Sequence, residues 1–339
     1  MKQRLLFASI HSYIDPSSGA ALATREVLEL LAARGWDCRA LTCGVLDYAQ
    51  ETPLDDVLTA LEQPTPRVGA ALSLGGEAEV SDLELDGVRV TLLPTHSSRP
   101  ERSPNPPDAA IFLDLVQQAF NRFRPQVLLT YGGHPVCMDI MRRARARGIA
   151  VVFHLHNFGY NDRRAFDDVK AIIVPSEYSR RFHASRLGLG GTVIPNPIRL
   201  DQVVAERPDP KYVTFINSQP DKGAAVFARI ALELDKRRPD IPLLLVKGRG
   251  TTNALARLPV DLSTLTNLNL MANTPDPRDL SGEPGRLDAV VVARVAGPSG
   301  DRGDGQRHSG YGERPRCVAR DRGRRRVCVH DPRAMHAVN

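Results

Sequence analysis

The first 200 residues alternate short apolar runs with amphipathic stretches of helical length. Such runs occupy residues 5–10, 127–130 and 149–156, and turn residues separate each run from the next amphipathic stretch. A short apolar run between turn signals is typical of a buried strand, and a helix between two strands is the usual crossover of a parallel sheet. We therefore predict an α/β domain over residues 1–200, in which residues 47–87 are polar and irregular.

A second, shorter α/β pattern follows a linker. Residues 201–210 have no apolar periodicity and contain Pro208 and Pro210. A strand, a helix and two further strands then follow within residues 211–280. We expect a second domain of the same class there, separated from the first by the linker.

The last 59 residues have a different composition. Residues 281–339 hold twelve Arg and no Lys against seven Asp and Glu, a net charge of +5 out of +6 for the whole chain. They also contain nine Gly, one Leu, no Ile and no Phe. A segment with so few apolar side chains does not offset the entropy of ordering, so we expect an Arg/Gly-rich, disordered tail.

Length, charge and cysteine spacing exclude several classes of protein. No apolar run approaches the ~18 residues of a membrane span, and the apolar run near Met1 is short for a signal peptide. The five cysteines show no metal-ligand spacing, so neither a zinc site nor a disulfide framework is expected. We expect a cytoplasmic protein with reduced thiols, and peripheral association with a membrane stays open.

Three loops share one construction, in which a strand runs into a glycine-bearing turn that opens a helix. They lie at residues 17–19, 131–133 and 221–223. The free amides and dipole of a helix N-terminus favour an anion, and Lys222 adds a point charge in the third loop. The alternative is that the turns themselves require glycine. No G-x-G-x-x-G follows the first strand, which disfavours a nicotinamide dinucleotide site.

Two histidines lie two residues apart at the end of a predicted strand. His154 and His156 share a strand face, and Asn157 follows them. Open α/β sheets bind ligands at the carboxyl ends of their strands, so we expect at least one of the imidazoles to be functional, His154 rather than His156. The alternative is that one of the two histidines has a structural role only. No third ligand accompanies the pair, so no metal is expected.

The order of these segments resembles the family 4 (group 1) glycosyltransferases. The shared segments are the first glycine loop, the basic helix that ends at Gly148, and residues 174–177, 193–197 and 221–223. The resemblance covers residues 3–280 and implies the GT-B architecture of two Rossmann-like domains. Residues 1–200 are then the acceptor-side domain and residues 211–280 a partial donor-side domain, so the second domain is incomplete.

The resemblance implies a retaining, metal-independent transfer of a sugar from a nucleoside diphosphate sugar to a hydroxyl acceptor, with no cofactor. It places His154 near the transferred sugar as the catalytic residue. The family carries a Gly-Arg pair before the lysine, where this chain has Ile216 and Asn217, so one cationic contact is missing unless Arg249 substitutes. The implied donor and phosphate contacts are Ser18, Gly19, Ser218, Lys222, Gly223 and Arg249, and the acceptor-side candidates are Gly133, His156 and Asn157.

In members of the family, a strand, a Glu-x7-Glu loop and a Gly-x-Pro-Val strand follow these segments, and the tail does not match them. When the reading frame of the gene is moved one base downstream, the codons of Arg294-Val295 and Arg302-Gly303 each permit Glu. Over residues 293–311 the shifted frame permits RESLGRVAIEAMANGIPV. We therefore predict a frameshift near residues 280–285, and little or no transfer by this chain, since the two glutamates contact the donor in the family.

A second hypothesis is that the chain is a non-catalytic GT-B-like binding protein, and that its basic tail contacts nucleic acid or anionic lipid. Stacking on nucleic-acid bases needs aromatic side chains among the basic ones, and the tail has only Tyr311. No nucleic acid partner is therefore expected. The expected partners are the nucleotide-sugar donor and a hydroxyl acceptor that the sequence does not identify.

Overall fold

The computed structural model describes residues 2–16, 18–46, 54–61, 65–95, 103–198, 212–216, 223–246, 261–271 and 287–290. All of them belong to one compact unit, Met1–Gly297. The described residues form two sheets with helices, which confirms the α/β class. The linker at residues 201–210 and most of the tail lie outside the described residues.

The first sheet has nine strands, and most of its neighbours are parallel. The strands are β1 Arg4–His11, β2 Asp37–Val45, β3 Arg67–Ala71, β4 Glu77–Leu85, β5 Val88–Leu93, β6 Val127–Thr130, β7 Ala150–His154, β8 Ala171–Val174 and β9 Thr192–Val193. Their order is β3-β4-β5-β2-β1-β6-β7-β8-β9. Only the pairs β3–β4 and β4–β5 are antiparallel. The irregular region expected at residues 47–87 therefore holds two regular strands at one edge of the sheet.

In the described part of the chain, five helices accompany this sheet. They are α1 Gly19–Ala33, α2 Leu54–Thr59, α3 Pro106–Phe123, α4 Pro135–Arg145 and α5 Glu177–Leu187. Capping residues in the sequence set several of their ends. The hydroxyl of Ser176 accepts a hydrogen bond from the N–H of Ser179 at the start of α5, and Gly188 ends that helix in the left-handed conformation with φ 64°.

The core of the first sheet lies around its central strand. β1 pairs in parallel with β2 on one side and with β6 on the other, and six consecutive residues in it are buried. A strand between two parallel neighbours is covered on both faces, which explains its continuous apolar run. Phe7, Phe112 and Phe153 are among the largest fully buried side chains of this cluster.

The second sheet has four parallel strands. They are β10 Tyr212–Ile216, β11 Leu243–Val246, β12 Leu268–Met271 and β13 Leu287–Val290, in the order β12-β11-β10-β13. Helix α6, Ala224–Arg237, connects β10 to β11 and packs Phe227 in parallel on Phe215, with ring centroids 4.8 Å apart. This is the second βαβ unit that the sequence predicts.

Strand β13 corrects the prediction for the tail. It pairs in parallel with β10, with Tyr212 opposite Leu287 and Thr214 opposite Val290. Four residues of the segment expected to be disordered are thus a regular strand. The prediction used the average composition of the whole tail, in which a local apolar run at residues 289–292 is not apparent. This run is mostly Val, and β-branched residues favour strands.

Candidate functional site

A cavity of about 540 Å³ opens at the carboxyl ends of β1, β6 and β7. His11 ends β1, Tyr131 follows β6 directly, and His156 lies two residues beyond the end of β7. All three side chains line the cavity, because neighbouring parallel strands end at the same edge of the sheet. The cavity has the position at which open α/β sheets bind ligands.

These three residues form a wall of rings, which we call the ring wall. His11 stacks on Tyr131 with centroids 5.8 Å apart and an interplanar angle of 19°. His156 meets Tyr131 edge to face at 5.5 Å and 88°. Two imidazoles and a phenol therefore lie together on one side of the cavity.

His154 lies behind the ring wall. It is 2% exposed, and its ring centroid is 3.8 Å from that of His156. Burial lowers the pKa of His154 to about 4, so its imidazole is neutral at pH 7. Among the described residues it is His156, and not His154, that lines the cavity. The sequence-based preference for His154 therefore does not match the exposure of the two side chains.

The loop that follows β7 is ordered by side-chain hydrogen bonds. The Asn157 Oδ1 atom accepts a hydrogen bond from the Gly159 N–H at 2.9 Å. Burial raises the pKa of Tyr160 to about 12, and hydrogen bonds to its phenol oxygen from the Gly132 N–H and the Asn157 side chain oppose that rise. A Cβ atom on Gly133 would lie 3.1 Å from Tyr160 Cε1, so a glycine lets these two loops approach each other.

The N-terminus of α1 is open toward the cavity, which Ser18 and Ala20 line. The Ser18 hydroxyl accepts a hydrogen bond from the Ala21 N–H at 3.4 Å and caps the helix. Gly19 and Ala20 are the first two helical residues, whose amides have no acceptor within a helix. A Cβ atom on Gly19 would meet no atom within 4 Å, so the packing does not require glycine at this position.

The N-terminus of α4 presents fewer donors. Its first residue, Pro135, has no N–H. The next amide, that of Val136, donates to His134 Nδ1 at 3.2 Å. The Ser18 and His134 side chains thus each accept one amide from the first turn of their helix, and α4 has one donor fewer because it begins with a proline.

The second domain contributes one described residue among the predicted donor contacts. Gly223 precedes α6 with φ 96°, a left-handed conformation that favours glycine. Ser218, Lys222 and Arg249 lie outside the described residues. Among the described residues, β10 before this region and α6 after it are the strand and the helix of the prediction.

Within the described ranges, no group of three or more His, Cys, Asp and Glu side chains is arranged to hold a metal ion. No helix in the same ranges combines the length and apolar character needed to cross a membrane.

An ion pair borders the cavity. Asp162 lines the cavity, and its Oδ2 atom lies 2.7 Å from Arg164 Nη2.

Among the ring-bearing residues of the cavity lining, the sequence identifies His156 as a site residue and Tyr131 only as part of the loop at residues 131–133. His11 and Tyr160 also line the cavity and were not singled out. His11 and Tyr131 lie at the ends of predicted strands, which was the available signal. Tyr160 gave no such signal, because its place depends on the fold of the loop after β7.

Several solved structures resemble this one at low sequence identity. TarM of S. aureus is 9% identical, with 82% of this chain and 78% of that chain covered and a TM-score of 0.51. MurG of Acinetobacter baumannii is 14% identical, with 80% and 67% covered and a TM-score of 0.37. A UDP-GlcNAc 2-epimerase from Neisseria meningitidis bound to UDP-GlcNAc is 12% identical, with 83% and 74% covered and a TM-score of 0.45. At these identities the likeness concerns the fold alone.

The comparison of sequences is more specific. No curated protein matches the chain. The family model described as Glycosyltransferase Family 4 matches residues 17–202, which include β6, β7, α1 and α4 and most of the cavity lining. The match covers more than half of the chain, and the fold is the GT-B type that the sequence predicts. The chain therefore belongs to Glycosyltransferase Family 4.

Proposed function

We propose that the protein transfers a sugar from a nucleoside diphosphate sugar to a hydroxyl acceptor, with retention of configuration and without a metal ion. The match to the glycosyltransferase family carries this proposal. The cavity supports it, because an open helix N-terminus and the ring wall meet there. Retention and metal independence rest on the resemblance alone.

The first domain offers the donor phosphates the N-terminus of α1. Amides of Gly19 and Ala20 and the helix dipole stabilise negative charge as the diphosphate leaves. By the family pattern, Lys222 pairs with the same diphosphate, and Ser218, Gly223 and Arg249 complete the donor side. The leaving group is then stabilised from both domains.

His156 is our candidate for the imidazole that contacts the transferred sugar. It lines the cavity, whereas His154 is buried behind it at a ring distance of 3.8 Å. An imidazole in this place hydrogen-bonds a sugar hydroxyl and orients the ring for attack by the acceptor. His154 then acts through His156, as the residue against which the His156 ring rests.

We further propose that the coding frame changes after Val290 rather than near residues 280–285. Strand β13 belongs to the frame of this chain and pairs with β10, which favours a correct frame through Val290. The permitted reading of the family segment begins at residue 293. Sequencing of codons 287–300 tests this: the shifted frame should stay open, and stop codons in it would contradict the proposal.

The test of function compares this chain with a version in which the frame is restored. Each is incubated with UDP-sugars and GDP-sugars and a panel of hydroxyl acceptors, and release of nucleoside diphosphate is measured with the anomeric configuration of the product. The restored chain should show acceptor-dependent release, reduced on the order of 10-fold or more by His156→Ala and by Lys222→Ala. Lys236→Ala, an exposed lysine of α6, is the matched control.

Each of three results would contradict one part of these proposals: the reaction, the site or the changed frame. Acceptor-independent conversion of the UDP-sugar to its epimer would indicate an epimerase. Activity in the restored chain that is indifferent to both substitutions would place the site elsewhere. Full activity in the chain as it stands would show that the shifted segment is not needed.

A further inference from the structure

The loop after β7 forms one side of the cavity, and one of its residues is turned away from the cavity. We call residues 156–162 the cavity loop. Six of these seven residues line the cavity, and the exception is Phe158. A side chain that packs against the protein from the middle of such a loop fixes the backbone on both sides of it. The contacts of Phe158 therefore determine how this side of the cavity is held.

Helix α5 contacts Phe158 with three rings. Tyr178 and Phe182 meet the Phe158 ring edge to face, with centroids 5.7 and 4.8 Å apart. His183 stacks on the same ring at 5.6 Å, with an interplanar angle of 11°. Ring pairs in these arrangements are favourable beyond the apolar area that they bury. Helix α5 thus holds the middle of the cavity loop through residues that do not themselves line the cavity.

His183 does more than pack on Phe158. Its side chain is 1% exposed, and neither ring nitrogen has a regular hydrogen-bond partner in the described part of the chain. Burial lowers the pKa of His183, and an interaction with the backbone of Asn157 opposes this fall. A backbone group that raises the pKa of an imidazole is a carbonyl oxygen, which accepts from the ring N–H. The His183 N–H is therefore directed at the Asn157 carbonyl oxygen, in a contact weaker than a regular hydrogen bond.

The polar ring at this position has a cost. Burial of an imidazole without a regular hydrogen bond is unfavourable, whereas a phenylalanine would fill the same space without this penalty. Stacking on Phe158 alone does not need a nitrogen atom. What His183 adds to a purely apolar ring is its interaction with Asn157.

Asn157 connects this interaction to the cavity. Its Oδ1 atom accepts from the Gly159 N–H at 2.9 Å, and its side-chain amide donates to the Tyr160 phenol oxygen. All three residues line the cavity. A displacement of the Asn157 backbone would strain both hydrogen bonds at once, so the position of this residue sets the shape of the loop around it.

We infer that His183 is a positioning residue of the candidate site, which holds Asn157 through its ring N–H and Phe158 through its ring face. It touches no ligand itself, since it does not line the cavity. Its effect on transfer rests on the proposed function, because that function makes the cavity the place of the reaction. Its effect on the cavity loop does not depend on that function.

Two substitutions separate the ring of His183 from its N–H. His183→Phe keeps a ring to stack on Phe158 and removes the N–H, and His183→Gln keeps an N–H without the ring. Urea denaturation should show that His183→Phe is at least as stable as the unsubstituted chain, because no imidazole is then buried. Arg181→Ala, on the exposed side of α5, is the control and should leave both stability and loop unchanged.

Hydrogen exchange of single amides, followed by NMR on the full-length chain, tests the position of the loop. In His183→Phe, exchange of the Gly159 amide should accelerate on the order of fivefold, the factor that one neutral hydrogen bond contributes. The Leu155 amide, which donates to the Ile173 carbonyl oxygen at 2.9 Å, should keep its rate. An unchanged Gly159 rate, or equal acceleration at Leu155, would overturn the inference.

His183→Gln keeps the test decisive if His183→Phe does not fold. Because the glutamine retains an N–H, its Gly159 rate should stay close to that of the unsubstituted chain. Acceleration on the order of fivefold in His183→Gln would contradict the role of the N–H.

Kinetics on the frame-restored chain add a readout that a purely structural role would not move. His183→Phe should lower kcat for transfer about fivefold or more, because the loop is misplaced, and leave the affinity for UDP and GDP unchanged. An unchanged kcat would overturn the inference. If the restored chain transfers no sugar at all, the proposed function fails, whereas the exchange rates of the chain as it stands still decide whether His183 positions the loop.

Discussion

Replacement of Gly133 by alanine should destabilise the first domain, because the new Cβ atom would lie 3.1 Å from Tyr160 Cε1. The Tyr160 ring has little room to retreat, since it packs edge to face on Phe153 and Phe166 at 5.7 and 5.3 Å. The ring must shift and strain its hydrogen bonds with Gly132 and Asn157, or the loop must move. Overpacking costs about 1–3 kcal/mol, and each neutral hydrogen bond contributes about 0.5–1.5 kcal/mol. We expect the free energy of unfolding to fall by about 1–3 kcal/mol.

The matched control is the same substitution at Gly19. Its new Cβ atom would meet nothing within 4 Å, and the residue lies in the first turn of α1. Gly19→Ala should therefore raise the free energy of unfolding by roughly 0.4–1 kcal/mol, chiefly by restricting the unfolded chain. Urea denaturation followed by circular dichroism measures both variants. A Gly133→Ala variant as stable as the unsubstituted chain would refute the argument from the Tyr160 contact.

Three further predictions follow from single contacts. Burial lowers the pKa of His154 from 6.5 to about 4, so the folded chain binds fewer protons than the unfolded chain between these values. His154 should therefore contribute a loss of stability of up to about 3 kcal/mol as pH drops from 6.5 to 4. Urea denaturation of His154→Phe should show a smaller slope, which His134 and His183 sustain because burial lowers the pKa of each of them too. Ser176→Ala removes the cap of α5 and should cost about 1 kcal/mol in the same assay, whereas Ser185→Ala on the exposed face of that helix should cost much less. Restoration of the frame should increase the affinity for a UDP-sugar on the order of 10² to 10⁴-fold, because it restores two glutamate contacts of about 1.5–3 kcal/mol each. Calorimetry measures this affinity, and an unchanged value would contradict the frame proposal.

The sequence predicts the parallel part of the first sheet because each buried strand is a short apolar run. It does not predict β3 and β4, which lie in the stretch of residues 47–87. In β4 exposed and buried residues alternate in two stretches, and the phase of the alternation changes between Val80 and Ser81, which are both buried. Such a change of phase weakens the period-two signal that predicts a half-buried strand.

The candidate site is predicted only in part, for reasons of geometry. Local sequence identifies His154 and His156 as neighbours at a strand end. It does not indicate that β7 ends at His154, so that the two imidazoles differ in exposure. The ring wall needs the strand order β1-β6-β7, and strand order is a property of the whole sheet rather than of any segment.

That strand order also fixes when the cavity can assemble. Leu5 of β1 pairs with Cys38 of β2 and with Val127 of β6, so the strand at the start of the chain has one early neighbour and one that follows more than 100 residues later. During synthesis β1, β2 and β5 can pair first, while the other edge of β1 waits for β6 to leave the ribosome. The contact between His11 and Tyr131 is therefore among the late events of folding, and closing so long a loop makes this step slow. Until then one edge of the apolar strand β1 has no partner strand, and an unpaired strand edge favours aggregation.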